Sequence, residues 1–328
     1  MYNWVSVSLA GNSLLELIFL GTSASAPSVR RGLSAQIVSH RDYRFLVDCG
    51  EGTQRQILRS GLGFRRLNKI LITHGHLDHI LGLAGLLSTF SRWETIEHLE
   101  IWAGAWALDR ISDLLFGVVL RGAKSAIEID LRPIKAGLIF EENGFQVSAF
   151  PVTHRGPGCF GFIFEEPTHR PFILEKAEKL GVPAGPLRSQ LVRGEPVTLS
   201  SGAQIHPDQV LGSVRSGTRH VHIGDSAKID NLIDISNQAD SLVIEATYLE
   251  DEIDLARKFG HLTAAQAAGL AVKAQVGHLF LTHISRRYRE TQVLEEAKAI
   301  FPQSTVVRDF DHFQIRRGEV NQKVRDRR

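Results

Sequence analysis

After the apolar run Lys69-Ile-Leu-Ile-Thr73 comes His74-Gly-His-Leu-Asp-His79, three histidines and a carboxylate within six residues. Neutral imidazole and carboxylate are ligands suited to zinc and related divalent ions. Side chains this close in sequence converge on one point only if the backbone turns sharply, and Gly75 permits such a turn. A lone histidine near a strand end is usually a satisfied polar residue, but four potential ligands in this spacing are hard to explain that way. Four residues cannot alone build a two-metal site, so other strand ends should supply more. His154 follows Phe150-Pro-Val-Thr, Asp225 follows His222-Ile-Gly, and His283 follows Phe280-Leu-Thr. Each ends an apolar run, where loops gather and active sites form. Fourteen histidines against one methionine fit a chain that needs metal ligands.

The elements that must position these residues are short. Leu15–Leu20, Arg44–Val47, Lys69–Thr73, Phe145–Phe150, His220–Ile223, Ser241–Ile244 and His278–Thr282 are apolar runs ended by turn or polar residues, which predicts buried strands. Between several of them lie helical patterns at Thr53–Ser60, Leu81–Phe90 and Thr263–Val276, the last with Thr263 as its cap. Strands alternating with helices predict an α/β chain. From Glu165 to about Val210 the rhythm fails, and six prolines and four glycines accumulate. An inter-domain linker would explain such a stretch. An inserted arm explains it better, because α/β signals resume afterwards with no second independent core. The expected organisation is one domain over residues 1–328 carrying an arm at about 165–210.

Composition excludes several classes. Of 328 residues, 43% are hydrophobic and 23% charged, which is ordinary globular usage. No run of 18 apolar residues occurs, so no membrane span is expected. A net charge of +2 leaves any nucleic-acid binding to local patches. Two cysteines, Cys49 and Cys159, are too few for a disulfide framework and suit a reducing cytoplasm. Residues 1–10 lack the basic start of a secretory signal and read as a loose extension or a mis-assigned start as readily as an ordered segment. Gly117-Val-Val-Leu-Arg-Gly-Ala-Lys-Ser125 falls short of a phosphate-binding loop because Ala intrudes before Lys. Cys49 has no activating base near it in sequence and reads as a buried thiol.

HxHxDH with a distant His, Asp and His resembles the metallo-β-lactamase superfamily, and within it the ribonuclease Z family more closely. The resemblance runs from about Leu14 to Phe313. Its markers are Phe19-Leu-Gly-Thr-Ser23, Asp48-Cys-Gly-Glu-Gly-Thr-Gln54, Glu245-Ala-Thr-Tyr248, His261-Leu-Thr-Ala-Ala-Gln-Ala267 and Leu281-Thr-His-Ile-Ser285. Val182-Pro-Ala-Gly-Pro186 and Gly194-Glu-Pro-Val-Thr-Leu199 look like the Gly-Pro arm with which that family grips tRNA. The resemblance implies a four-layer αββα sandwich, with mixed α+β and α/β character, an inserted Gly/Pro-rich arm and a homodimer in which one subunit's arm serves the other's site.

It further implies two zinc ions per subunit, with manganese or another divalent ion as alternatives. His74, His76 and His154 would hold one ion, Asp78, His79 and His283 the other, with Asp225 bridging. Asp78 would orient or deprotonate the nucleophile, and His261, supported by Glu245, would protonate the leaving 3′-oxygen of precursor tRNA. Arg30, Arg31, Gly185, Pro186 and Arg188 would contact the RNA. Leu77, Ser226 and Ile244 stand where the family usually has Gly, Thr and His, all beside ligands rather than at them. Gly32 stands where Asn is expected in the loop that governs discrimination at the CCA end. Two other functions fit parts of this pattern. A phosphodiesterase for small phosphoesters would leave the arm without a purpose, and a non-catalytic RNA-binding protein would be marked by loss of a ligand, whereas all seven are present.

Overall fold

Alternation along the first strand sets the layering. In β1 (Leu15–Gly21), Leu15, Leu17 and Phe19 enter one apolar cluster while Ile18 and Leu20 enter another, so both faces are buried. This computed structural model describes residues 14–93 and 96–323, and the N-terminal residues 1–13 read above as an extension lie outside them. The chain divides into two units, a body of 14–165 and 218–323 and an insert of 166–217.

In the body, β1 is followed by β2 (Ala35–His40), β3 (Tyr43–Val47), β4 (Lys69–Leu71), β5 (His98–Ala103) and β6 (Glu128–Pro133). From β3 to β6 the strands run parallel. Between them lie α1 (Thr53–Ser60), α2 (Leu77–Ile80), α3 (Gly82–Trp93) and α4 (Ala105–Ser112), the last continued by a π-helical stretch, Asp113–Leu120. Ile57, Leu83, Leu86, Phe90, Ala107 and Ile111 press these helices onto the outer face of the sheet. The near phosphate-binding motif spans the end of the π-helical stretch and the turn after it.

A second sheet begins with β7 (Gly137–Glu142), β8 (Phe145–Pro151) and β9 (Phe160–Glu165). The insert then follows. It comprises α5 (Leu174–Lys179), α6 (Pro186–Val192), a hairpin of β10 (Val197–Thr198) with β11 (Gln204–Ile205), and α7 (Pro207–Val210). Ala177, Val182, Leu191, Val197, Ile205 and Val210 form its own small apolar cluster. Each is supplied singly by a short element or turn, so no helical or strand period appears in the sequence.

The second sheet resumes with β12 (Arg219–Gly224), β13 (Ser241–Glu245), β14 (Leu279–Thr282) and β15 (Ser304–Val306), all parallel to one another. β12 pairs antiparallel with β9, Arg219 opposite Glu165. Helices α8 (Ile233–Ser236), α9 (Ile253–Phe259), α10 (Ala264–Lys273) and α11 (Glu290–Ile300) belong to this half. Thr263 caps α10, accepting from Gln266 N–H while the Gln266 side chain accepts from Thr263 N–H. Finally β16 (His312–Arg316) pairs with β1, and β17 (Glu319–Gln322) pairs with β16 to close a hairpin.

The sheet orders are β17-β16-β1-β2-β3-β4-β5-β6 and β15-β14-β13-β12-β9-β8-β7. Their facing sides bury Phe19, Phe45, Phe145, Phe162, Phe164 and Phe280, each stabilising by roughly 1.5–3 kcal/mol relative to exposure. Helices cover both outer faces, which completes the αββα sandwich anticipated from sequence. No helix among the described residues is long and apolar enough to cross a membrane.

Two histidines of β12 make folding sensitive to acid. His220 stacks on Phe164, its Nδ1 lies 2.8 Å from Ser241 Oγ, and its Nε2 has no hydrogen-bond partner. Burial pushes His220 down to about 3 and His222 to about 4. Such groups stay neutral when folded and bind protons on unfolding. Their stabilisation is therefore complete above about 6.5 and is lost as pH falls from there toward the folded values, at roughly 1.4 kcal/mol per pH unit each. Urea denaturation of chelator-treated protein should show the midpoint dropping between pH 7 and pH 5. A midpoint constant across that range would remove this account.

Candidate metal centre

Parallel strands of the two sheets place their carboxyl ends at one edge of the body, and the loops there deliver the predicted ligands. His74 and His76 follow β4, Asp78 and His79 lie on α2, His154 follows β8, Asp225 follows β12 and His283 follows β14. Gly75 serves differently from expectation. It is absent from the residues with positive φ, and a side chain there would meet Trp106 and Ala107 at 3.0 Å. Close packing against Trp106, rather than backbone freedom, is what this position requires. Gly50 is similar, since an added Cβ would lie 2.4 Å from the Asp78 carbonyl oxygen.

Ligand atoms of His74, His76 and His154 lie within 4.8 Å of one another, as do those of Asp78, His79 and His283. Asp225 Oδ2 stands between the sets, 3.9 Å from His74 Nε2, 3.7 Å from His154 Nε2, 3.6 Å from His79 Nε2 and 3.4 Å from His283 Nε2. His79 Nε2, His283 Nε2 and Asp225 Oδ1 are buried without a hydrogen-bond partner. Leaving such atoms unsatisfied costs about 1–3 kcal/mol apiece, which a cation accepting their lone pairs offsets. The donor set of imidazole and carboxylate thus fits divalent metal ions.

Electrostatics prepare the ligands unequally. Burial pushes His74 well below its ordinary value and His76 down to about 4, so both rings are neutral donors at neutral pH. For His79, burial disfavours the charged ring, but Asp48 and Asp225 outweigh it and raise the value well above normal. A metal ion bound at His79 would therefore displace a proton. Burial would favour neutral Asp225, yet His283 and His79 hold its carboxyl well below the usual range.

A second set of residues, unassigned in the sequence reading, aims the ligands. Asp48 Oδ2 accepts from His79 Nδ1 at 2.8 Å, and Asp48 Oδ1 accepts from Thr73 N–H at 2.8 Å. The Thr73 hydroxyl touches both the Asp48 carboxylate and His74 Nδ1, the latter at 3.0 Å. His154 Nδ1 donates to the Gly260 carbonyl at 2.7 Å. Each contact leaves the opposite ring nitrogen facing the site. Register could have found Asp48, because β3 pairs with β4 as Val47 opposite Leu71 and so sets Asp48 beside the residues that lead to His74.

His261 stands beside the cluster, with Nδ1 3.0 Å from Glu245 Oε2 and 3.9 Å from Asp225 Oδ2. Burial opposes its charge, but the Glu245 carboxylate prevails and holds the ring up to about 9. His261 is therefore a protonated donor at neutral pH. Asp78 Oδ2 accepts from Ser25 N–H at 3.1 Å, which ties the exposed loop 24–30 to the site rim.

The remaining predicted residues lie on the rim loop of the body and in the insert. Arg30 is exposed on the rim loop. Arg31 turns inward, with its side chain only 14% exposed, and its guanidinium donates to Thr22 Oγ1, the Val307 carbonyl and Glu290 Oε2 at 2.6, 2.6 and 2.9 Å. In the insert, Gly185 at φ 121° precedes Pro186 at the start of α6, and Arg188 donates to the Val182 carbonyl at 2.9 Å. Cys49 and Cys159 are both buried free thiols.

Back-to-back sheets with a His/Asp cluster at the strand ends define a hydrolase of the metallo-β-lactamase fold. A metallo-β-lactamase-fold protein from Bacillus subtilis superposes with a TM-score of 0.65 at 17% identity, covering 92% of this chain and 99% of its own. A family model described as anti-Pycsar protein Apyc1 matches residues 15–172. The ribonuclease Z of Bradyrhizobium diazoefficiens is 44% identical over 302 residues, 92% of this chain and all of that protein. Human tRNase Z, short form, superposes with a TM-score of 0.64 at 27% identity, covering 90% of this chain and 98% of that one. The chain belongs to the ribonuclease Z family and is a phosphodiester hydrolase.

Proposed function

We propose that this chain removes the 3′ trailer from precursor tRNA in the cytoplasm. It is read as one hydrolase domain with an inserted substrate-gripping arm, acting as a homodimer whose arms serve partner sites. What supports the reading is the convergence of seven imidazole and carboxylate groups, Asp225 among them, with a protonated His261 beside them, in a ribonuclease Z relative.

His74, His76 and His154 would hold one zinc ion and Asp78, His79 and His283 a second, with Asp225 shared. Manganese or another divalent ion is the alternative occupant. When bound, such ions supply Lewis acidity toward the phosphate and acidify water. Asp78 accepts the proton of the attacking water. As the bond from phosphorus to the 3′-oxygen breaks, His261 gives its proton to that oxygen. The tRNA then ends in 3′-OH and the trailer begins with 5′-phosphate. Arg30 meets backbone near the acceptor end, with Arg31 holding the loop that presents it. Gly185, Pro186 and Arg188 form the tip that the arm offers to RNA.

The test uses zinc-loaded protein with a 3′-extended precursor tRNA and, separately, bis(p-nitrophenyl) phosphate, beside His76→Ala. Cleavage at the acceptor end that disappears in His76→Ala is expected. Because Glu165 and Arg219 are paired neighbours, a short Gly-Ser turn can replace residues 166–217. That deletion should cost roughly 10²-fold or more in precursor cleavage while sparing the small ester, since remote binding energy drives the larger substrate. Hydrolysis of the small ester with the precursor intact in the parent protein would move the assignment to a small-molecule phosphodiesterase.

A further inference from the structure

Thr247 lies two residues beyond Glu245 and is 4% exposed, and no step above uses it. Its Oγ1 lies 2.9 Å from His283 Nδ1, 3.2 Å from the His283 carbonyl and 2.5 Å from Glu245 Oε2. A hydroxyl has one proton to donate, and the carboxylate is both the nearer and the more strongly attracting acceptor. Thr247 therefore donates to Glu245 and accepts from His283 Nδ1–H. This arrangement leaves His283 Nε2 unprotonated and facing Asp225 and Asp78, at 3.4 and 3.5 Å.

Glu245 is fully buried and holds two further groups. Its Oε1 accepts from Ser226 N–H at 2.6 Å, directly after Asp225, and its carboxylate accepts from His261 Nδ1. One carboxylate thus steadies the loop after Asp225 and the His261 ring directly, and reaches His283 through the Thr247 hydroxyl.

We infer that Thr247 is a positioning residue whose hydroxyl couples the orientation of His283 toward metal to the Glu245–His261 pair. The inference rests on the metal-centre reading above, and it demands that one hydroxyl govern two properties. With Thr247→Val the shape is kept and the hydroxyl lost. His283 is then free to take the other tautomer, and Glu245 loses a donor. Thr247→Ser keeps the hydroxyl and loses only the methyl group.

The experiment measures zinc retention of each full-length variant against a competing chelator, without substrate, and kcat and KM separately on 3′-extended precursor tRNA, with circular dichroism to establish folding. Thr247→Val should lose zinc about 10- to 100-fold more readily and fall by a similar factor in kcat, the usual loss when an outer partner of a ligand is removed, with KM unchanged. Thr247→Ser should restore both to within about threefold of the parent, since it keeps the hydrogen bonds. The inference is overturned if zinc retention in Thr247→Val matches the parent, or if Thr247→Ser is as impaired as Thr247→Val, which would make methyl packing the cause. Zinc retention reads the inference even if the precursor tRNA is not the substrate, because inactivity of the parent on that RNA would instead overturn the functional reading.

Discussion

Asp225→Asn should abolish measurable hydrolysis and release bound metal. The Asp225 carboxylate is the only group within 3.9 Å of ring nitrogens from His74, His79, His154, His261 and His283 together, among the described residues. Asparagine keeps the volume but removes the negative charge that faces both ligand sets. Several kcal/mol of charge stabilisation are lost, on the order of 10³- to 10⁴-fold in rate. Asp254→Asn, whose carboxylate is 95% exposed on α9, serves as the control and should match the parent. Metal content by mass spectrometry and single-turnover rates decide the matter. An Asp225→Asn protein retaining two equivalents of metal would show that the carboxylate is not shared between the sets.

The second large effect concerns the proton donor. His261→Ala should lower kcat by about 10²- to 10⁴-fold with metal content intact, the usual range for a lost general acid. Glu245→Gln should act through pH. With Glu245 in place the ring is held up to about 9, so the acid form persists through neutrality. Without the carboxylate's charge the ring returns toward an ordinary value of about 6.5 or below. The acid form is then lost as pH rises, so the rate of Glu245→Gln should begin to decline at a lower pH than that of the parent. Coincident profiles for the two proteins would exclude His261 as the donor.

The clustering of these seven residues was legible because His74–His79 follows one apolar run and His154, Asp225 and His283 each follow another, and strand ends are visible in sequence even when strand order is not. The helix Thr53–Ser60 was legible from its acidic approach, and the one expected over Thr263–Val276 from its cap and alanines, although it ends at Lys273. Strand β2 was not, because Gln36, Ser39 and His40 interrupt its apolar residues although Gln36 and His40 are buried. Strands β6 and β7 lie at sheet edges with mostly half-exposed or exposed residues, so burial left no alternating pattern to read. Asp48, Thr73 and Thr247 escaped because they act on ligands rather than as ligands. Their contribution depends on which strands are neighbours, and residue type at a single position does not encode that.

The place of β1 has a consequence for synthesis. The strand sits between β2 and β16, so its second edge is satisfied by residues roughly three hundred positions later in sequence, with Ile315 opposite Leu15. A polypeptide emerging from the ribosome makes Leu15–Gly21 well before the residues that cover its second edge. Until His312–Arg316 arrives, an apolar strand with unpaired backbone groups remains open to pairing with other chains. The same order governs the metal site, because His283 is made long after His74. The nascent chain therefore carries an incomplete cluster until His283 is made and an uncovered edge until His312–Arg316 follows.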